Sequence, residues 1–189
     1  RTPTAKRRKN PTMPEDIAEQ FRSLADQHNY YRRLRGAETH WFFVEAEKAL
    51  RHGLHIAAVL SFINGIEASI RTNVLYQQGK FDEDSMGNAT IMKNALLREA
   101  QSIGLRVEIL AFPGEVDFED KLSKNKGVEL VRVRNNLCHG NVFQNFQKVP
   151  DTDETIFTPE CLQGLALILK DISEKWSKEI RRFKELQDH

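Results

Sequence analysis

Apolar residues recur at intervals of three and four along most of the chain, the spacing of one face of an α-helix. From about Pro14, the positions Ile17, Phe21, Leu24 and Ala25 predict a helix that fades at the turn-prone pair His28-Asn29. Phe42, Phe43, Ala46, Ala49 and Leu50 predict a second from about Thr39 to His52, closed by Gly53. A long third helix, from about Leu54 to Gln77, follows after so short a connection that the two should be antiparallel neighbours. The run Gly79 to Gly87 reads as a loop, after which Asn88 is placed to cap a helix through Met92, Leu96 and Ala100 that ends at Gly104.

Residues 105–125 are the least regular part of the pattern. Leu105, Val107 and Ile109 alternate, which predicts a short extended piece, and Pro113-Gly114 is a turn. Val128, Leu130, Val131 and Leu137 mark a further helix, followed by a polar loop holding Pro150 to Asp153. Thr158-Pro159-Glu160 starts the last helix, with Thr158 as N-cap and Pro159 in the first helical position. Its stripe of Leu162, Leu165, Leu169, Ile172, Trp176, Ile180 and Phe183 is long enough to pack along a whole bundle. The fold expected is therefore all-α, an antiparallel helical bundle of four to five core helices plus an N-terminal helix. Residues 1–36 form the basic tail and N-terminal helix, and residues 37–189 the bundle.

Composition narrows the class. The chain has 189 residues, 40% of them hydrophobic, and a net charge of +1, the profile of a soluble globular protein with enough length to bury a core. Its longest apolar stretch, Ile56 to Ile63, is interrupted by Ser61 and falls far short of a bilayer span, so no membrane association is expected. Arg1 to Asn10 is basic with no apolar run behind it, unlike a secretory leader. The small net charge argues against a general nucleic-acid coat but permits a local basic site. Cys138 and Cys161, without a CxxC, are expected to be core thiols of a cytoplasmic protein rather than ligands of a structural zinc.

Several groups suggest chemistry and then weaken. Lys6-Arg7-Arg8-Lys9 reads first as a solvated tail. Tyr30-Tyr31-Arg32-Arg33 with Arg35 mixes aromatics and cations as RNA-binding surfaces do, but a helix end or a partner contact explains it better. His40, His52 and His55 lack the spacing of a metal site, and Trp41 and Trp176 are expected in the core. Gly-rich phosphate loops and Ser-His-Asp patterns are absent.

Two features on different helices point to a site. The first is the segment Arg134-Asn135-Asn136-Leu137-Cys138-His139-Gly140. Asn135 and His139 share a helix face, whereas Arg134 lies about 140° around the axis from His139. One helix does not obviously converge both groups, and a second copy across a two-fold axis would supply the missing partner. The second feature is Glu67, a carboxylate in the apolar stripe Leu60, Ile63, Glu67, Ile70, Val74. A buried ionised carboxylate is costly unless paired, and Arg134 sits in the same way between Leu130 and Leu137. The two are natural partners, directly or through a water or hydroxyl. On pattern alone, a purely structural Glu–Arg pair, with a histidine favoured by the helix dipole, accounts for these residues as well.

Residues 131–141, Val-Arg-Val-Arg-Asn-Asn-Leu-Cys-His-Gly-Asn, near the end of a helix in an all-α chain, resemble the Arg-x4-6-His motif of the HEPN superfamily. The helix pair from Thr39 to Gln77, with an acidic residue inside its second member, is similar to that family too, so the resemblance spans about residues 37–187. It implies a bundle that dimerises around the motif and a metal-independent endoribonuclease that leaves a 2′,3′-cyclic phosphate, used as a toxin or in phage defence. In that scheme His139 is general base or acid, Arg134 clamps the scissile phosphate, and Asn135 orients His139 or binds a phosphate oxygen. Glu67 fixes the arginine, and Asn136, Asn141 and Arg71 are candidate RNA contacts. No carboxylate cluster suits Mg²⁺, so neither metal nor other cofactor is expected. The resemblance also allows a non-catalytic module that binds RNA or a partner protein such as a nucleotidyltransferase-type antitoxin. A scaffold in which Glu67 and Arg134 serve only stability is the third reading.

Overall fold

In the computed structural model, residues 14–34, 39–80 and 91–188 are described. The chain is an all-α helical bundle, with one two-stranded ribbon among the described residues. Its helices are α1 (Glu15–Leu34), α2 (His40–Arg51), α3 (His55–Gln77), α4 (Asn94–Ser102), α5 (Phe118–Ser123), α6 (Glu129–Cys138) and α7 (Gln163–Gln187).

The sequence of α3 is apolar on most sides because neighbours cover most sides: α2, α4, α6 and α7 all pack against it. Phe43, Phe62, Ile63, Ile66, Leu97, Leu169 and Trp176 are almost wholly excluded from water around this axis. Trp176 of α7 is tied to α3 by its indole N–H, which donates to Ser69 Oγ at 2.8 Å, so the largest core side chain leaves no polar atom unsatisfied. Gly65 permits the close approach of α2 to α3. A Cβ there would stand 2.9 Å from the Phe43 ring, which itself stacks on Tyr30 at 5.0 Å between centroids.

The structure departs from the sequence pattern at identifiable points. α1 does not fade at His28-Asn29 but continues to Leu34, because Tyr30 and Leu34 are buried against the bundle. Its earlier apolar residues Ile17, Phe21 and Leu24, whose spacing predicted the helix, face solvent. Asn88 lies outside the described residues; the described helix α4 starts at Asn94, with Met92 buried just ahead of it. Leu105, Val107 and Ile109 do not form an extended piece. Residues Val107–Leu110 make a 3-10 turn, whose period of three buries both Val107 and Leu110. The short helix α5 lies within the segment that had no helical signal.

Within the polar loop, β1 (Gln147–Lys148) pairs antiparallel with β2 (Thr155–Ile156) in an exposed ribbon too short to leave an alternating pattern. The last helix enters through a 3-10 turn, Pro159–Leu162, before α7 begins. Trp176 is in the core, but Trp41 is 44% exposed, and neither cysteine is a core thiol: Cys138 is exposed and Cys161 half-buried. The basic run Lys6–Lys9 and Arg35 lie outside the described residues. No helix among the described residues is long and apolar enough to cross a membrane.

Candidate functional site

The site is built where α3, the chain ahead of α4, and α6 meet. Glu67 lies mid-α3 and is buried, as its place in the apolar stripe requires. Two donors satisfy its carboxylate. Arg134 Nε donates to Oε2 at 3.1 Å, and the backbone N–H of Met92 donates to Oε1 at 3.0 Å. The pairing of Glu67 with Arg134 is therefore direct. The Met92 amide is a partner that side-chain patterns do not reveal, since any residue except proline supplies the same N–H.

The Arg134 side chain is largely enclosed, with 16% of it exposed. Its Nη1 donates to Asn135 Oδ1 at 3.4 Å, so Arg134 and Asn135 are neighbours in space as well as sequence. The Glu67 carboxylate holds the guanidinium by Nε, leaving the Nη side turned toward Asn135. A guanidinium fixed in this way is a stiff, permanently charged fork, the form suited to a phosphate.

Gly140 ends α6 and sets the direction in which the chain leaves. With φ of +70° it adopts a left-handed conformation that an L side chain resists, although a Cβ there would meet nothing within 4 Å. The Gly140 N–H bonds Leu137 O at 3.2 Å and the Asn141 N–H bonds Asn136 O at 2.8 Å, the two bonds of a Schellman motif. His139 is the cap residue, exposed at the negative end of the helix. Asn141 Nδ2 donates to Asn136 Oδ1 at 3.3 Å, so these two amides form a pair beside the cap. Arg71, half-buried, lies one helical turn beyond Glu67 on α3.

The structure thus brings Glu67, Arg134 and Asn135 into one cluster and Asn136 and Asn141 into another. Among the described residues no hydrogen bond joins His139 to Arg134. Beyond the turn, Arg132 reaches both Glu129 and Gln144, which ties the 3-10 turn Phe143–Asn145 back to α6. Phe143 on that turn is 76% exposed, with its ring 5.4 Å from Phe146, which in turn stacks on Phe157 at 6.0 Å. Sequence reading missed this aromatic row; three phenylalanines in an otherwise polar loop were the available signal.

Other buried charges are accounted for locally. Burial pushes the Glu179 carboxyl up, but its bonds from Arg182 and from the backbone and side chain of Arg106 outweigh it and hold the group below the usual carboxylate range. Glu47, paired with Lys170 at 3.2 Å, goes the other way, because burial dominates and raises it. His40 and His55 are buried at the starts of α2 and α3, while His52 faces Glu19. No group of three or more His, Cys, Asp or Glu among the described residues is arranged to hold a metal ion.

Comparison with protein-family models, with curated proteins and with solved structures returns no match to this chain.

Proposed function

We propose that this chain is a metal-independent endoribonuclease of the HEPN type, with Arg134 and His139 as its catalytic residues. The observation that carries the reading is the Glu67–Arg134 pair, which fixes a guanidinium beside Asn135 on the helix that ends at an exposed His139. In the reaction, a base removes the proton of an RNA 2′-hydroxyl and the 2′-oxygen attacks the adjacent phosphorus. The bond to the 5′-oxygen of the next nucleotide breaks, an acid protonates that oxygen, and a 2′,3′-cyclic phosphate remains. An imidazole serves as base or acid near neutral pH, and Arg134 balances charge building on the phosphate oxygens. Glu67 is a positioning residue that acts through Arg134.

Two active roles and one histidine per site favour a dimer in which a second copy brings its own motif alongside. The resemblance that suggests the activity also suggests its setting, a toxin or a phage-defence protein. Because no hydrogen bond joins His139 to Arg134 among the described residues, one second reading stands beside it, a module that binds RNA or an antitoxin-like partner without cutting.

The test is incubation of the purified chain with mixed RNA in EDTA, alongside Arg134→Ala and His139→Ala. Cleavage by the wild type alone is expected. Equal cleavage by both variants, or none by the wild type, removes the assignment. Retention of intact RNA supports the binding module instead.

A further inference from the structure

The first helix is fastened to the bundle unevenly. Tyr30 and Leu34, near its C-terminus, are its buried residues, and no side chain from Glu15 to Asn29 is buried. The C-terminal end is anchored in depth. Tyr30 stacks on Phe43, Arg33 Nη1 donates to Ser177 Oγ at 3.3 Å, and Lys184 Nζ donates to Leu34 O at 2.7 Å. Ahead of that anchor the contact with α2 is polar: Asp16, Glu19, Gln20 and Ser23 form one wall of a groove whose other wall is Lys48, Arg51 and His52. Two ion pairs cross this seam. Asp26 pairs with Arg51, and Glu19 Oε1 stands 2.9 Å from His52 Nε2. A segment with so few buried apolar contacts opens locally at a fraction of the cost of global unfolding, so a single charge moves its balance.

We propose that the part of α1 ahead of Tyr30 is a pH-sensitive strap, closed on the end of α2 while His52 is protonated and loosened when His52 gives up its proton. The pair with Glu19 is ionic only in the protonated state. Imidazole is the side chain whose ordinary charge change falls between about pH 5 and 8, so the ionic attraction is present at the acid end and lost as pH rises. The charged groups around His52 are Asp16 and Glu19 from α1, and Lys48 and Arg51 from its own helix, with Arg51 engaged by Asp26. Carboxylates, lysine and arginine are types that ordinarily keep their charge between pH 6 and 8, which leaves His52 as the member of the groove that changes. Glu47 lies at the anchor instead, facing Lys170 and Glu174 of α7 and Asp26 of α1. Burial raises its carboxyl, so it too favours the closed arrangement in acid. Opening the strap removes Asp16 and Glu19 from the row Lys48, Arg51 and His52 and uncovers those cations. None of this depends on the ribonuclease reading.

The experiment is amide hydrogen exchange of the full chain, read by NMR at pH 6 and pH 8, with each rate divided by that of an unstructured chain at the same pH. Protection of residues 19–29 should fall about threefold between the two, the size of one exposed ion pair, and should stay below that of α3 throughout. His52→Gln keeps a neutral donor and should show the low protection at both pH values, with no slope. Glu19→Gln, which removes the charge from the other side, should do the same. Both substitutions are at side chains outside the core, and circular dichroism checks that the variants fold. Glu47→Gln should keep the slope in residues 19–29, because its site is the anchor. Wild-type protection that is the same at both pH values, or that equals that of α3, would overturn the inference. So would a wild-type slope in His52→Gln and Glu19→Gln, or its loss in Glu47→Gln.

Discussion

Glu67 binds Arg134 and the Met92 amide with opposite oxygens of one carboxylate, at 3.1 and 3.0 Å, so that a single buried acid ties α3 both to α6 and to the segment that leads into α4. The acid is held at both ends, and it holds the arginine by Nε. Removing it frees Arg134 and leaves a largely buried guanidinium without its counter-charge. Glu67→Ala should therefore cost about 3 kcal/mol of stability in urea denaturation. If RNA cleavage is measured, it should also lower kcat at least tenfold. Glu67→Gln keeps an acceptor for either donor and should lose less of both. An Ala variant as active as the wild type would remove Glu67 from the mechanism.

The contact of Gly65 with Phe43 makes a sharper statement about packing. With 2.9 Å available and the Phe43 ring already stacked on Tyr30, the ring cannot retreat without disturbing α1. Gly65→Ala should destabilise the fold by roughly 1–3 kcal/mol despite alanine's better helix propensity. Adding Phe43→Leu should recover part of the loss; unfolding midpoints of the four proteins test the coupling.

Glu179 and Glu47 should respond to pH in opposite senses. The Glu179 carboxyl is held low when folded, so its contribution is present above its unfolded pKa and is lost as pH falls through the depressed value. Glu179→Gln should cost roughly 2 kcal/mol at neutral pH, and the cost should shrink on acidification below about pH 4. Glu47 is raised, so its contribution is present at low pH and declines as pH rises through its folded value. Relative to the wild type, Glu47→Gln should gain stability as pH rises from about 4.5 toward neutrality. Urea unfolding at a series of pH values gives both slopes, and slopes of the same sign would contradict the assignment.

Much of this was legible in the sequence because burial leaves periodic marks. Glu67 stood out by occupying an apolar position, and Arg134 stood out in the same way between Leu130 and Leu137 on another helix. The end of α2 at Gly53 was legible because a left-handed residue favours glycine. Other features were silent for physical reasons. The Met92 amide has no side-chain signature, the 3-10 turn Val107–Leu110 imitates alternation over three residues, and ribbon strands of two residues are too short for a period. In α1, spacing gave the helix correctly but not which side faces the bundle, because periodicity carries no information about where the neighbouring helices lie.

Phe143 offers a flat, exposed ring four residues beyond His139, backed by Phe146 and Phe157. If a single strand runs past the cap of α6, a base can stack there, a contact of about 1–3 kcal/mol. Phe143→Ala should raise KM for RNA about tenfold with little change in kcat or thermal stability, and Phe143→Trp should preserve binding. Equal KM values for the wild type and the Ala variant would place the strand elsewhere.

The most direct measurement is of the ends left on RNA. A uniform RNA is digested by the wild type in EDTA, with His139→Ala in parallel, and the product termini are identified by mass spectrometry. The wild type should leave 2′,3′-cyclic phosphates, and the variant should leave the RNA intact. Terminal 3′-hydroxyls, or the same products from both proteins, would contradict the mechanism.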